Sequence, residues 1–374
     1  MLSEIDDTLW HQIPTTFDHV GTSDPRFFDR YWFAFTDPSG RASGQFTLGV
    51  YSNMDVVDAG VVVAHQGRQH NVRASRSLRP RFDAACGPLA VELRRPLWEF
   101  GLTIAPGPQA VHGQLMWTGT LPVEEEVPHF ERVRGRVAQE YQRFNQVGTV
   151  SGELVIEGVE VPVERWWACR DHSWGVRPSM GIPEPVTGPV APSERSGSLF
   201  AFLFFATDTV AGHVQIAERA SGRTYLTGLL REVAAGPGAP DLVVADAELS
   251  LRLVEGTRRM RWAMLALTLD DGRSVELEAD ALGPSIAMTG LGYSGGWDDG
   301  RGLGVWRGAD VVEHDTWDVS HPVDVVVDGG RIAQPVHRIQ PVHVVSRGAG
   351  YDGSGTGSLT MIASGHLPRY GLGA

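Results

Sequence analysis

The stretch Trp166-Trp167-Ala168-Cys169-Arg170-Asp171-His172-Ser173-Trp174-Gly175-Val176-Arg177 brings together an acid, an imidazole, guanidiniums and indoles. Valines alternate with polar residues and proline over residues 159–164, just before it, which predicts a strand with one dry and one wet face. If the alternation continues, the odd-numbered residues, Asp171 among them, share the dry face, and Arg170 and His172 point the other way. A carboxyl group on a dry face is costly unless it is paired or protonated, so Asp171 calls for an explanation.

Two interpretations of Asp171 remain open on the spacing alone. In the first it is structural: Asp171 accepts backbone N–H bonds at a barrel corner, and Gly175 makes the turn. In the second, the surrounding indoles exclude water, and water exclusion shifts the pKa of a carboxyl group into a range that is useful in catalysis.

The rest of the chain is predicted to be β-structure, because strand-sized segments recur at short spacing and are separated by proline and glycine. Two turn sequences, Asp37-Pro38-Ser39-Gly40 and Asp270-Asp271-Gly272, predict hairpins. The predicted strands are 31–35, 44–51, 61–64, 89–93, 98–104 and 111–117 in the first half and 199–206, 214–218, 224–230, 260–267 and 275–279 in the second. One short helix is predicted over residues 133–144, where Val133, Val137 and Tyr141 fall four apart.

A proline-rich segment, residues 178–198, predicts the division of the chain. Its prolines are incompatible with a central strand or a helix interior. We therefore predict an N-terminal β domain over residues 1–177, a linker or lid over residues 178–198, and a C-terminal β domain over residues 199–374. Both interpretations of the segment stay open, since long loops in compact proteins are often functional.

Composition narrows the classes of partner. The 374 residues carry a formal net charge of −13, which argues against nucleic acid or an anionic membrane surface as a partner. Cys86 and Cys169 form no CxxC pair. No apolar run approaches a membrane span, and the acidic N-terminus does not resemble a signal peptide. These features predict a cytoplasmic protein whose partner is a small molecule, and they leave the oligomeric state open.

Several motifs in the second half imitate functional ones. Residues 290–296 match both G-x-G-x-x-G and G-x-S-x-G, but a dinucleotide site or a Ser294 nucleophile needs a strand followed by a helix, which this chain is not predicted to have. Glu313 and Asp315 share one strand face, which is interpreted as solvated or, less favourably, as a source of a second carboxylate. His337 and His343 lack neighbours at metal-ligand spacing, so neither a metal site nor a cofactor is predicted.

Two anchors carry a family resemblance. The Asp-His-x-Trp-Gly signature at residues 171–175, after a β-rich half, resembles a family of tandem lipocalin-like proteins that includes carotenoid 1,2-hydratases, hydratases of plant phenolic compounds and some natural-product pericyclases. The run from Gly290 to Tyr293, with Trp297 and residues 304–308, resembles the signature of the second barrel. The His-x-Trp pair that precedes the acidic motif in the carotenoid hydratases has no counterpart in residues 140–144, so the resemblance supports the fold more than the carotenoid reaction.

The resemblance implies an all-β chain of two tandem lipocalin-like barrels or sandwiches joined by the proline-rich connection. It also implies a cofactor-independent hydratase, dehydratase, isomerase or cyclase acting on a hydrophobic unsaturated molecule of terpenoid, polyketide or steroid type. Asp171 would be the general acid, His172 would orient water or remove a proton, and Arg170 would position an oxygen or hold Asp171. The residues expected to bind substrate are all aromatic: Trp167, Trp174, Tyr293, Trp297 and Trp306. The alternative is a carrier or sensor of the same kind of ligand, since such barrels often only bind.

Overall fold

A computed structural model describes residues 4–7, 9, 13–79, 83–133, 135–178, 180–181, 197–293, 296–297, 299–321, 325–327, 330–333 and 335–373. In chain order its strands are β1 (Phe27–Thr36), β2 (Ala42–Tyr51), β3 (Val56–His65), β4 (Arg68–Ser77), β5 (Ala85–Cys86), β6 (Leu89–Arg95), β7 (Glu99–Ile104), β8 (Val111–Gly119), β9 (Glu124–Glu125), β10 (His129–Val133), β11 (Arg136–Ile156), β12 (Val159–Val176), β13 (Ser198–Thr207), β14 (Val210–Arg219), β15 (Gly222–Glu232), β16 (Leu242–Leu253), β17 (Met260–Leu269), β18 (Ser274–Ala281), β19 (Ile286–Ala287), β20 (Asp310–Asp318), β21 (Val325–Val327), β22 (Arg331–Ala333), β23 (Arg338–Arg347) and β24 (Gly353–Ser364). Short 3-10 helices span Glu4–Asp7, Ser52–Met54, Val233–Gly238, Met288–Leu291 and Pro368–Tyr370.

The first sheet runs in the order β22-β21-β20-β4-β3-β2-β1-β12-β11-β8-β7-β6-β5. It curls until β5 returns to β3 and β4, where the Arg76 side chain donates to the Ala85 carbonyl at 2.7 Å. We call strands β1–β8, β11 and β12 the first barrel. Its interior is packed with aliphatic and aromatic side chains such as Phe33, Phe100 and Trp117. The predicted turn at Asp37-Pro38-Ser39-Gly40 joins β1 to β2 and fixes their antiparallel register.

The second sheet closes on itself, because β18 pairs with β23 at the ends of the path β18-β17-β16-β15-β14-β13-β24-β23. We call these strands the second barrel. Closure gives each of these strands a neighbour on both sides, although β15 and β16 pair only from Leu229–Val243 to Leu230–Leu242. Leu203, Leu265 and Leu359 are among the side chains that fill it. The chain is thus a two-domain, lipocalin-like, all-β protein, which confirms the fold class predicted from the sequence.

The predicted helix over residues 133–144 is wrong. These residues end β10 and begin β11, whose pairing with β12 continues from Glu140–Val176 to Ile156–Val159. A spacing of four residues brings side chains together on a helix, but it also equals two periods of a strand, so the apolar spacing fitted both structures. Two flanking strands then supplied backbone partners, and tertiary pairing decided the outcome.

One segment crosses between the two halves. β20 lies beyond residue 199, yet it pairs with β4 of the first sheet, from Asp310–Arg76 to Asp318–Arg68. The predicted division at residues 178–198 stays a prediction, and residues 182–196 of that segment lie outside the described residues. The crossing means that the C-terminal half of the chain contributes strands to both sheets.

Candidate functional site

β12 carries Asp171 on the face that looks toward the second barrel. Asp171 lies opposite Trp32 of β1 and Asn145 of β11. On the same face, Trp167 and Cys169 belong to a buried cluster that also contains Phe202 and Phe204 of β13, together with residues from several other strands. The expected grouping of Trp167, Cys169 and Asp171 on one strand face is therefore what the structure has.

The face itself is not the one that the valine alternation predicted. A bulge interrupts the β11–β12 register, which passes from Gly152–Val163 to Val150–Trp166. Arg165, inside the bulge, adopts a positive φ of 49°. Val163 and Trp166 both belong to the first-barrel core, so the dry valine face is the barrel interior. The extra residue reverses the parity, and Asp171 points out of that interior.

Asp171 lines a cavity of about 1000 Å³ between the two barrels, which we call the inter-barrel cavity. Its apolar walls come from strands of both halves and include Trp32, Tyr141, Phe200, Phe202, Ile339 and Ile362. Its charged lining residues include Arg30, Arg143, Arg177 and Arg219 alongside Asp171 and Glu218. A mostly apolar cavity with a few converging polar groups is the usual setting of a small-molecule site.

The Asp171 carboxyl group is nearly enclosed and weakly paired. Its side chain is 15 % exposed, and its nearest cationic atom is Arg143 Nη1 at 4.0 Å. Among the described residues none donates a hydrogen bond to it, whereas the structural-corner interpretation expects backbone N–H donors. Burial raises the pKa of Asp171, and the more distant charges of Arg143 and Arg177 only partly oppose that effect. The carboxyl group therefore holds its proton to a higher pH than an ordinary aspartate.

Arg143 is held away from Asp171 by Glu126. The Arg143 Nε and Nη2 atoms donate to the two Glu126 carboxylate oxygens at 2.9 and 2.8 Å, and both residues are buried. Arg143 also donates to the Gln215 side chain of the second barrel. Burial alone would raise the pKa of Glu126, but Arg143 and His129 together lower it well below its usual range. Glu126, not Asp171, thus balances the charge of Arg143.

His129 completes this buried cluster. Its ring stacks on Tyr141 at 4.3 Å and on Tyr225 at 4.6 Å, and its Nε2 lies 2.9 Å from Glu126 Oε2. Burial lowers the pKa of His129, opposed by its hydrogen bond to Glu126. Glu126, His129 and Arg143 were not predicted as site residues. Arg143 lies within the wrongly predicted helix, and no motif in the sequence singles out Glu126 or His129.

At another part of the cavity, Arg30 packs on Tyr293. The Arg30 guanidinium lies 4.7 Å from the Tyr293 ring centre, and its Nη1 donates to the Tyr293 hydroxyl. The His337 ring meets Tyr293 edge-on at 5.4 Å. Burial, with the charges of Arg177 and Arg30, lowers the pKa of His337 to about 4, so His337 is neutral at neutral pH.

Arg170 and His172 lie on the opposite face of β12, away from the inter-barrel cavity. Arg170 is fully buried in the first barrel, 4.6 Å from the Phe100 ring centre and 5.1 Å from that of Trp117, and burial lowers its pKa to about 10. His172 Nε2 lies 2.7 Å from Asp29 Oδ1. The catalytic roles predicted for Arg170 and His172 do not fit these positions.

Of the five aromatic residues expected to bind substrate, Tyr293 lines the inter-barrel cavity. Trp167 is buried between the barrels, and Trp297 is buried under Arg307, whose guanidinium is 4.4 Å from the Trp297 ring centre. Trp174 and Trp306 are 36 % and 46 % exposed. None of these four tryptophans is among the residues that line the cavity.

The remaining sequence motifs find other settings. Ser294 lies outside the described residues. Glu313 and Asp315 each pair with Arg73 at 2.7 Å. Within the described ranges, no three His, Cys, Asp or Glu side chains are grouped closely enough to hold a metal ion. The described part of the chain also has no helix with the length and apolar character that crossing a membrane requires.

Comparison with known proteins gives one family and several structures of similar fold. The model of a family of unknown function (DUF8625) matches residues 2–372. The structure of CghA with Sch210972 aligns at a TM-score of 0.50 and 8 % identity over 91 % of this chain and 90 % of that chain. Kievitone hydratase from Nectria haematococca aligns at 0.48 and 10 % identity over 92 % of this chain and 93 % of that one. No curated protein matches the sequence. The likeness to CghA shows a shared fold, in agreement with the resemblance noted from the sequence.

Proposed function

We propose that this chain, which belongs to the family of unknown function DUF8625, is a cofactor-independent hydratase, dehydratase, isomerase or cyclase that acts on a hydrophobic unsaturated small molecule. Asp171 is the general acid. The observation that carries the proposal is a nearly enclosed, weakly paired carboxyl group in the wall of an aromatic-lined cavity. Burial raises the pKa of Asp171, so the carboxyl group keeps its proton to a higher pH than an ordinary aspartate, as a general acid requires.

The chemistry requires one proton to be delivered. The Asp171 O–H bond breaks, the proton bonds to one carbon of a C=C bond, and positive charge develops at the neighbouring carbon. Addition of water and loss of a proton complete hydration, whereas loss of a proton from an adjacent carbon completes isomerisation. Attack by a second π bond forms the ring and moves the positive charge to a further carbon, and loss of a proton beside that carbon completes cyclisation. In each case the Asp171 carboxylate can take back the released proton, so the acid is regenerated.

The cavity walls suit such a substrate. Trp32, Tyr141, Phe202 and Tyr293 present ring faces or edges around the space beside Asp171. Aromatic rings bury a large area at a small entropic cost, and their faces favour positive charge. Arg170 and His172 face the first barrel and do not line the cavity, so neither residue has a role in the proposed catalysis.

Replacing Asp171 by asparagine tests the proposal. Asparagine keeps the shape of the side chain but delivers no proton, so turnover should fall by roughly a hundred- to ten-thousand-fold while ligand affinity changes little. The assay is mass spectrometry of a panel of terpenoid, polyketide and steroid-like unsaturated compounds, in which products show gain, loss or conservation of the mass of water. His172 follows Asp171 in the sequence and lies on the opposite face of β12, so His172→Asn is the matched control. Its turnover should stay within about threefold of the wild-type value.

Two results would count against the proposal. Equal turnover by the Asp171→Asn and His172→Asn variants would exclude Asp171 as the acid. Tight binding of panel compounds by the wild-type protein without any conversion would favour the alternative, a carrier or sensor of a hydrophobic ligand.

A further inference from the structure

Two guanidiniums in the wall of the inter-barrel cavity have no carboxylate at ion-pair distance among the described residues. Arg177 packs 4.5 Å from the Phe28 ring centre, and the described residues give it no hydrogen bond or ion pair. Arg30 is buried, and its hydrogen-bond partner is the neutral Tyr293 hydroxyl. The Nε and Nη2 atoms of Arg30 are buried without a hydrogen bond. A buried cation with unsatisfied donors is costly, so Arg30, with the half-buried Arg177 in the same cavity wall, favours a counter-charge in the cavity.

The strand register places these groups beside Asp171. Arg30 of β1 and Arg143 of β11 both lie opposite Ser173 of β12, two residues beyond Asp171 on the same face. Phe28, on which Arg177 packs, lies opposite Gly175, the next position along that face. The cationic end of the cavity is therefore the end toward which β12 runs after Asp171.

The acids near Arg30 and Arg177 in the described part of the chain make their direct contacts with other groups. Glu126 already pairs with Arg143, and Glu218 bonds to Tyr370 at 2.6 Å and lies 3.3 Å from Arg369. Asp58, behind Arg30, accepts hydrogen bonds from the Tyr51 hydroxyl at 3.0 Å and the Gly304 N–H at 2.6 Å. Asp58 contributes a negative charge near Arg30, but it makes no direct ion pair with it. Asp171 is close enough to Arg177 to feel its charge, but it too makes no direct ion pair with Arg177.

We infer that the inter-barrel cavity binds its substrate through a carboxylate, held by Arg177 with Arg30 and the Tyr293 hydroxyl beside it. The inference rests on the proposed function only in taking this cavity as the substrate site. Guanidinium groups match the two oxygens of a carboxylate in geometry and charge. The hydrophobic part of the molecule would then lie against Phe200, Phe202 and Trp32.

An anionic substrate also resolves a conflict within the site. Positive charge developing on a substrate carbon is disfavoured beside Arg30 and Arg177, which have no ion-pair partner among the described residues, whatever the aromatic walls contribute. A bound anion cancels that repulsion. It also disfavours ionisation of Asp171, so substrate binding itself keeps the acid protonated.

The test compares two fluorescent probes of nearly equal shape, 9-anthracenecarboxylic acid and 9-anthracenemethanol, by equilibrium titration at low salt and neutral pH. The wild-type protein should bind the acid at least about tenfold more tightly than the alcohol. Arg177→Met should weaken binding of the acid about tenfold and of the alcohol less than about twofold. Arg177→Lys, which keeps the charge, should retain most of the preference. Arg347→Met makes the same change of charge on the outer surface and should leave both affinities unchanged.

Equal affinities of the wild-type protein for the two probes would overturn the inference, and so would failure to bind the acid at all. An equal loss for both probes in Arg177→Met would show that the residue acts through packing alone. The measurement involves no turnover, and Asp171→Asn should keep the preference for the acid. Loss of the proposed catalysis and loss of the anion subsite are therefore separate results.

Discussion

The interior of the first barrel and the space between the barrels differ in packing and charge. Phe33, Phe100 and Trp117 fill the barrel, and the buried Arg170 guanidinium is enclosed by aromatic rings. The inter-barrel cavity has a volume of about 1000 Å³, and its lining includes arginines and Asp171. Barrels of this general size can hold one small ligand inside. Here the interior is filled by side chains, and the candidate site lies where two outer faces meet.

This location explains the chemistry of the site. Alternate residues of a barrel strand face outward, where polar side chains are ordinarily solvated. When a second barrel covers such a face, the polar side chains lose water, and the loss of water disfavours their charged forms. Asp171, Arg143 and Arg30 are outward-facing residues of the first barrel that have been covered in this way. Their altered electrostatics follow from the contact between the barrels.

The largest expected effect is a difference in the free energy of unfolding between substitutions in the first barrel and in the cavity wall. Trp117→Ala removes a fully buried ring from the first barrel and should lower the free energy of unfolding by roughly 3–5 kcal/mol. Phe200→Ala, in the cavity wall, removes a half-buried ring and should cost less while weakening 9-anthracenecarboxylic acid binding several-fold. Urea unfolding and probe titration measure the two effects. A Trp117→Ala protein that remains folded but has lost probe binding would contradict the separation.

The next test concerns Glu126. Asp171 is active while protonated, so activity is full below its folded pKa and declines as the pH rises through that value. Glu126→Gln removes a negative charge and frees Arg143 to approach Asp171, and both changes lower the pKa of Asp171. The decline should begin at lower pH, with roughly a three- to tenfold loss of kcat/KM at neutral pH. The pH–rate profile measures this, and Glu125→Gln, an exposed neighbour, should leave the profile in place.

A smaller effect concerns the stability of Asp171→Asn. Because the pKa of Asp171 is raised in the folded state, its contribution to stability is fully present below its unfolded pKa and is lost as the pH rises through the folded pKa. Asparagine does not titrate, so Asp171→Asn should raise the free energy of unfolding at neutral pH by roughly 0.5–2 kcal/mol, as measured by urea unfolding. The difference from the wild-type protein should shrink in acid. Asp310→Asn, on an exposed strand end, should show no such gain. A less stable Asp171→Asn at neutral pH would instead indicate a structural role.

The smallest effect is optical. Trp32 lines the cavity, whereas Trp306 is 46 % exposed and lies outside its lining. A bound anthracene probe should quench tryptophan emission in the wild-type protein, and Trp32→Phe should reduce that response. Trp306→Phe should leave the fraction quenched unchanged within error. If Trp306 proved to be the main source of quenching, ligand would be binding elsewhere.

Local patterns in the sequence predicted much of the fold. The turn at Asp37-Pro38-Ser39-Gly40 is visible because proline and glycine favour particular backbone angles, and the flanking strands follow from their apolar content. The predicted helix failed because Val133, Val137 and Tyr141 share one face in either structure. Asp171 could be identified as unusual since its neighbours in sequence are aromatic. The face of β12 on which the Asp171 side chain lies could not be predicted correctly, because the bulge at Arg165 has no distinctive sequence signal.

The rest of the site depends on pairing between distant strands. Arg30 and Arg143 come together on either side of Ser173 only through the register of three strands. Neither arginine is unusual in its local sequence, and a single sequence carries no direct record of register. The predicted tryptophans illustrate the opposite case. Trp174 and Trp306 are conspicuous in the sequence, but they lie outside the cavity lining, because composition does not say which face of a strand or loop meets the cavity.

The crossing strand β20 has a consequence for how the protein is made. β20 pairs with β4, which joins residues 310–318 to residues 68–76. The first sheet can therefore be completed only after most of the chain has left the ribosome. Until then the β4 edge is exposed, and an exposed edge is open to pairing with other chains. The second barrel is a local structure by comparison, apart from its closure by β23 and β24. The N-terminal barrel is synthesised first, yet the C-terminal half supplies the last strands of its sheet, and a ribosome stalled before residue 310 would hold an unfinished sheet.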